Sequence, residues 1–105
     1  SELDDLLGRD PVELDSAGLH GWLDGRVVMV TGAGGSIGSE LVRQILKFDP
    51  ACVVLFDASE LALYTMEQEF GTVNRGTELV YAIGDVKHAA RLREVMTAHR
   101  PSVVF

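Results

Sequence analysis

This sequence of 105 residues holds a single cysteine, Cys52. One thiol excludes an internal disulfide, and a reducing, cytoplasmic setting fits. Cys52 lies inside an apolar run and reads as a small buried side chain. That run, Ala51 to Phe56, is the longest in the chain at six residues. A membrane span needs about 20, so nothing here reads as one. No basic segment followed by an apolar one opens the chain, so no signal peptide is read. His20, His88 and His99 have no cysteine or carboxylate at metal-ligand spacing, and no metal is expected. A basic face is also missing. The net charge is −7, yet residues 1–25 carry seven acids and one base, and residues 26–105 nine acids and eight bases. The acidity belongs to the leading arm, and neither part reads as a nucleic-acid binder.

What is present is an ordinary globular composition, 47% hydrophobic and 24% charged. The expected division is an N-terminal arm, 1–25, followed by a partial nucleotide-binding domain, 26–105. Within the arm, Asp4 to Leu7 can make one helical turn before Gly8, and Pro11 interrupts any helix. Ser16 to Leu23 reads as a short helix with Ser16 as its N-cap. Leu3, Leu6, Leu7, Leu14, Leu19, Trp22 and Leu23 make the arm too apolar for an unattached linker. It is expected to pack on the domain or on a neighbouring chain. Trp22 reads as core.

From Arg26 onward the pattern is regular. Strands are expected at Val27–Thr31, Ala51–Phe56, Glu78–Ile83 and from Ser102. A helix is expected over Ser36–Phe48, with Ile37, Leu41 and Ile45 on one face, ended by Asp49-Pro50. A second starts at Ser59, with Leu63, Met66 and Phe70 inward, before a loop flanked by Gly71 and Gly76. A third runs from about His88 to His99, with Leu92, Val95, Met96 and His99 on one face. Strands apolar on both faces, alternating with amphipathic helices, imply an α/β fold with a doubly wound parallel sheet. Its expected order is 3-2-1-4, the first half of a Rossmann-type sheet. Val103-Val104-Phe105 would be an exposed apolar edge, so a piece of a longer chain is expected.

The chemistry lies at the ends of these strands. Gly32, Gly35 and Gly38 follow the first strand as G-x-x-G-x-x-G, with Ser36 and Ile37 between the last two. A strand, a glycine turn and a helix start aim backbone N–H groups at one point, where an anion can sit. No Gly-Lys-Ser/Thr follows, so the pyrophosphate of a dinucleotide is expected rather than a triphosphate. Gly32 permits the turn, Gly35 lets the backbone approach the phosphates, and Gly38 lets the helix pack close. Ser36 and Ser39 have no neighbouring base to make either a nucleophile.

Asp57 ends the second strand. A carboxylate there accepts hydrogen bonds from the adenosine ribose and repels a 2′-phosphate. No arginine or lysine follows in Ala58-Ser59-Glu60, so NAD is expected over NADP. The alternative is that Asp57 only caps the next helix, and both roles are compatible. Gly84-Asp85-Val86 leaves the third strand at the same edge. Asp85 is placed to meet the adenine amino group with Val86 against the ring, or is an ordinary turn aspartate. The cofactor-binding candidates are thus Gly32, Gly35, Ser36, Ile37, Gly38, Asp57, Ser59, Asp85 and Val86.

Thr31-Gly32-Ala33-Gly34-Gly35-Ser36-Ile37-Gly38-Ser39-Glu40-Leu41, with Arg43 to Leu46 after it, resembles the extended short-chain dehydrogenase/reductases of bacterial polysaccharide synthesis. These are the CapD-type nucleoside-diphosphate-sugar epimerase/dehydratases. Phe56-Asp57-Ala58-Ser59-Glu60, Leu63-Tyr64 and Gly84-Asp85-Val86 match the same family. Asp5 to Val12 looks like the segment before the dehydratase domain in its membrane-anchored members. The resemblance implies a 4,6-dehydratase acting on a UDP-activated amino sugar, with the nicotinamide recycled. It implies attachment of the parent protein to the cytoplasmic face of a membrane, and leaves homo-oligomerisation open. An epimerase, a dehydrogenase or a non-catalytic NAD-sensing domain would share this half. The superfamily's Tyr-x-x-x-Lys pair is missing: Gln68 lies four residues after Tyr64, and Asp85 four after Tyr81. No catalytic residue is therefore named, and these residues alone are expected to be inactive. His88 stands where the family often has a helix-capping aspartate.

Overall fold

The computed structural model describes residues 16–105. The expected turn at Asp4 to Leu7 and the break at Pro11 lie outside the described residues. The first described element is helix α1, Ser16–Leu23. Ser16 is helical rather than in the expected capping conformation.

Strand β1 is Val27–Thr31, helix α2 is Ser36–Ile45, and β2 is Cys52–Asp57. Helix α3 is Glu60–Phe70, β3 is Val73–Asn74 and β4 is Thr77–Ile83. Helix α4 is Ala89–His99, and β5 is Val103–Val104. The sheet order is β3-β4-β2-β1-β5. The β4-β2-β1-β5 part is parallel throughout and is the expected 3-2-1-4 arrangement. The addition is β3, antiparallel to β4, with Asn74 opposite Thr77. Arg75 and Gly76 between them sit at φ 53° and 84°. Two positive φ angles are what a two-residue hairpin turn requires. The expected loop is thus a tight hairpin, too short to show a period of two.

The expected long helix over Ser36–Phe48 is α-helical only to Ile45 and tightens into a 3-10 turn at Leu46–Phe48. Asp49 then takes a left-handed conformation, φ 55°, and Pro50 cannot continue the ladder.

Alternation along each strand divides the core between two faces. On one face Val28, Val30, Val53, Leu55 and Leu79 pack against Val42 and Ile45 of α2, Leu63, Met66 and Phe70 of α3, and Leu23 of α1. On the other, Met29, Val54, Phe56 and Ala82 meet Val95 of α4, with Leu92 and Met96 partly buried beside it. The inward stripe of α2 keeps Ile45 and the partly buried Leu41 of the expected one and departs from it at Ile37. Val42 and Ile45 are buried, whereas Ile37 is 84% exposed at the helix start.

The second half of the arm docks on this body through Leu23. The Gly25 N–H donates to the Asp49 carbonyl at 3.0 Å, and His20 Nε2 lies 3.1 Å from Asp49 Oδ2. Trp22 is not core as expected: it is 43% exposed and meets Phe105 edge-on at 6.1 Å. Among the described residues, no helix is long and apolar enough to cross a membrane.

Candidate functional site

The C-terminal ends of the parallel strands meet at one edge, where open α/β sheets bind ligands. Gly32 turns the chain out of β1 at φ 63°. Its carbonyl accepts from the Gly35 N–H at 3.1 Å, and the Ala33 N–H donates to the Phe56 carbonyl at 3.2 Å. The loop is thereby tied to the end of β2, with Ala33 fully buried. Gly38 packs against the loop so closely that a Cβ there would lie 2.1 Å from the Gly32 oxygen. Gly38 is therefore a packing requirement, as expected of it. Gly35 differs: φ is −75°, and a Cβ would lie 3.4 Å from its nearest contact, the Gly32 oxygen. The fold itself accepts a side chain there.

Helix α2 opens with Gly35 as N-cap and no side-chain capping bond. Its first intrahelical bond runs from the Ser39 N–H to the Gly35 carbonyl, 2.8 Å. The amides of Ser36, Ile37 and Gly38 precede that bond, and so have no acceptor within the helix. Together with the helix dipole they form a donor set for an anion. Helix α3 differs, because the Ser59 hydroxyl accepts from the Ala62 N–H at 3.1 Å. Ser59 is thus the expected cap, with its oxygen engaged. Helix α4 begins after His88 without a side-chain cap.

Asp57 stands between loop and helix. Its Oδ2 accepts from the Gly34 N–H and its Oδ1 from the Ser59 N–H, each at 2.8 Å. The carboxylate bridges the glycine loop and the start of α3; the helix cap itself is Ser59. The Asp57 carbonyl accepts from the Gly84 N–H at 2.9 Å, bringing the end of β4 to the same place. Asp85 then shows turn geometry, its Oδ1 accepting from the Lys87 N–H at 2.9 Å. Val86 is half-exposed beside it.

Two glycines outside the G-x-x-G-x-x-G pattern are equally constrained. A Cβ on Gly34 would lie 2.4 Å from the Ala62 Cβ, and one on Gly84 would lie 2.5 Å from Phe56 Cζ. The only trace of either in the sequence is its place just after a strand. The contacts themselves join residues 28 positions apart in both cases.

Beside the loop, Arg43 of α2 reaches Glu69 of α3 through two bonds of 2.7 and 2.8 Å. Its guanidinium lies 5.8 Å from the Phe70 ring centre. The hydrogen bond from Arg43 holds the Glu69 carboxyl below its usual range. Burial pushes the Cys52 thiol up to about 11 and the Tyr81 phenol up to about 12. The Tyr81 hydroxyl donates to the Gly71 carbonyl at 2.6 Å. Both groups are held protonated near neutral pH. No cluster of three or more His, Cys, Asp or Glu that could hold a metal occurs among the described residues.

With this geometry in place, the family described as "Polysaccharide biosynthesis protein" matches residues 28–105. The chain belongs to this family. It is 46% identical over 105 residues to the capsular polysaccharide biosynthesis protein CapD of Staphylococcus aureus. That alignment covers 99% of this chain and 18% of the relative, so the family member here spans under a fifth of that protein's length. A short-chain dehydrogenase/reductase family oxidoreductase from Burkholderia thailandensis superposes with a TM-score of 0.65 at 30% identity, covering 76% of this chain and 30% of that one. NAD+-bound xylitol dehydrogenase gives 0.59 at 25% identity, covering 74% of this chain and 30% of that one. The fold is a partial Rossmann-type sheet of the kind these enzymes share.

Proposed function

We propose that this chain is the dinucleotide-binding part of a nucleotide-sugar 4,6-dehydratase of polysaccharide biosynthesis, with NAD as its cofactor. The observation that carries the reading is Asp57. Its carboxylate ends β2 directly beside a glycine loop whose helix has no side-chain cap. The residues fit the adenosine half and the pyrophosphate of an adenine dinucleotide. The amides of Ser36, Ile37 and Gly38 and the dipole of α2 suit the pyrophosphate. Gly35 keeps the approach to them clear. Asp57 retains lone pairs for the ribose hydroxyls, and Asp85 with Val86 flanks the adenine.

The preference for NAD rests on charge. Asp57 repels a 2′-phosphate, and Ala58-Ser59-Glu60 offers no cation to offset it. The similarity to a dehydrogenase with NAD+ bound supports a nicotinamide cofactor. When bound, that group supplies a hydride acceptor that returns the hydride within one turnover. The substrate class proposed is a UDP-activated amino sugar and the setting proposed is cytoplasmic; membership of a polysaccharide biosynthesis family supports a sugar substrate. No described residue is given a catalytic role.

Calorimetric titration with NAD and NADP tests the cofactor. NAD is expected to bind more tightly, and Asp57→Ala to lose that difference. Equal affinities, or an Asp57→Ala variant with an unchanged ratio, would sink the ribose assignment. For the reaction, the complete protein is incubated with UDP-N-acetylglucosamine. A 4-keto-6-deoxy product supports the dehydratase reading. An epimerised product or net NADH formation points to an epimerase or a dehydrogenase, and binding without turnover to a sensing domain.

A further inference from the structure

The Asp57 carboxylate is clamped on both oxygens, by the Gly34 N–H at Oδ2 and the Ser59 N–H at Oδ1. Ala62, on the first turn of α3, lies against Gly34. A Cβ on Gly34 would lie 2.4 Å from the Ala62 Cβ and 3.1 Å from Asp57 Oδ2. Gly34 is not among the residues at positive φ. The obstacle to a side chain there is this contact, not its backbone conformation. A loop residue, a strand-end residue and a helix residue thus interlock, and only glycine fits opposite alanine.

The chemical consequence concerns what the carboxylate can do when a ligand arrives. A carboxylate offers about four lone-pair sites. The clamp uses two and leaves the others for hydroxyl donors. A carboxylate able to rotate can swing away from an incoming phosphate and relieve the repulsion. One held at both oxygens cannot, so the full cost of like charges at short range remains. We propose that Gly34 and Ala62 are positioning residues. By fixing Asp57, they set the selectivity for a dinucleotide with unmodified ribose hydroxyls over one carrying a 2′-phosphate. The inference rests on the ribose role given to Asp57 above.

The test measures NAD and NADP affinities for the unaltered chain, Gly34→Ala and the pair Gly34→Ala/Ala62→Gly. Gly34→Ala is expected to lower the NAD:NADP affinity ratio about tenfold. The pair removes the contact with residue 62 and should recover most of the ratio. A role in packing alone would weaken both dinucleotides equally, so an unchanged ratio in Gly34→Ala overturns the proposal. A second measurement needs no substitution. In the unaltered chain, scalar couplings across the hydrogen bonds should link the Gly34 and Ser59 amide nitrogens to the Asp57 carboxyl carbon. Their absence also overturns it. Failure of the underlying reading looks different: the unaltered chain then binds both dinucleotides equally or neither, before residue 34 or 62 is touched.

Discussion

The carbonyl oxygen of Gly32 lies 2.1 Å from where a Cβ on Gly38 would stand. That oxygen is main chain, already fixed by the Gly35 N–H, and cannot rotate away as a side chain would. Gly38→Ala should therefore destabilise the fold by about 2–3 kcal/mol. Urea denaturation of the variant checks this, and a change below about 0.5 kcal/mol would contradict the contact.

Gly35→Ala is expected to behave in the opposite way. Position 35 has an extended backbone, and a Cβ there would meet only the Gly32 oxygen, at 3.4 Å. Its stability should stay within about 1 kcal/mol of the unaltered chain. NAD binding should fall at least about tenfold, because the methyl group would stand at the site proposed for the pyrophosphate. Comparing the two alanine variants by denaturation and titration separates the glycine that the fold needs from the one that the ligand needs.

Ser59→Ala removes the side-chain acceptor for the Ala62 N–H. The expected loss is about 1 kcal/mol, the ordinary cost of an N-cap. The Ser59 N–H, which holds Asp57, is unaffected by the change. Thermal unfolding should therefore shift while the NAD:NADP ratio stays constant. A changed ratio would mean that the hydroxyl itself meets the ligand.

Alkaline pH should unfold the chain through two groups. Burial raises the Cys52 thiol to about 11 and the Tyr81 phenol to about 12, above the ordinary values of 9.0 and 10.0. In this range the folded chain holds protons that the unfolded chain releases. Their contribution is complete below about pH 9 and is lost as pH rises through 11 to 12. Denaturation midpoints across pH 8 to about 12 should fall accordingly. Cys52→Ala and Tyr81→Phe should each flatten the decline, and an unchanged slope in both would count against the cause.

Local patterns made most of the fold legible. Val27 to Val30 of β1 and Cys52 to Phe56 of β2 are apolar enough to be read as buried parallel strands. The Leu63, Met66 and Phe70 stripe places α3 correctly, because i, i+3, i+7 spacing is a property of one helix. The errors share a physical cause. Ile37 has the period of the buried stripe, but it sits on the first turn, before the helix meets the sheet. Trp22 has a core residue's chemistry, yet its helix buries only Leu23. Strand β3 has two residues, too few for any period.

The sequence by itself determined the order of the four parallel strands and their helices, the glycine turn after β1 and the acidic residue at the end of β2. Each depends on neighbours a few positions away. Tertiary structure alone decided which glycines are sterically required and what Asp57 holds. Gly34 meets Ala62 and Gly84 meets Phe56 only because three parallel strands end at one edge. The bond from Gly34 to Asp57 spans 23 positions for the same reason. Contacts of that kind depend on crossover geometry, which brings distant segments within van der Waals reach and leaves no period or local pattern in the chain.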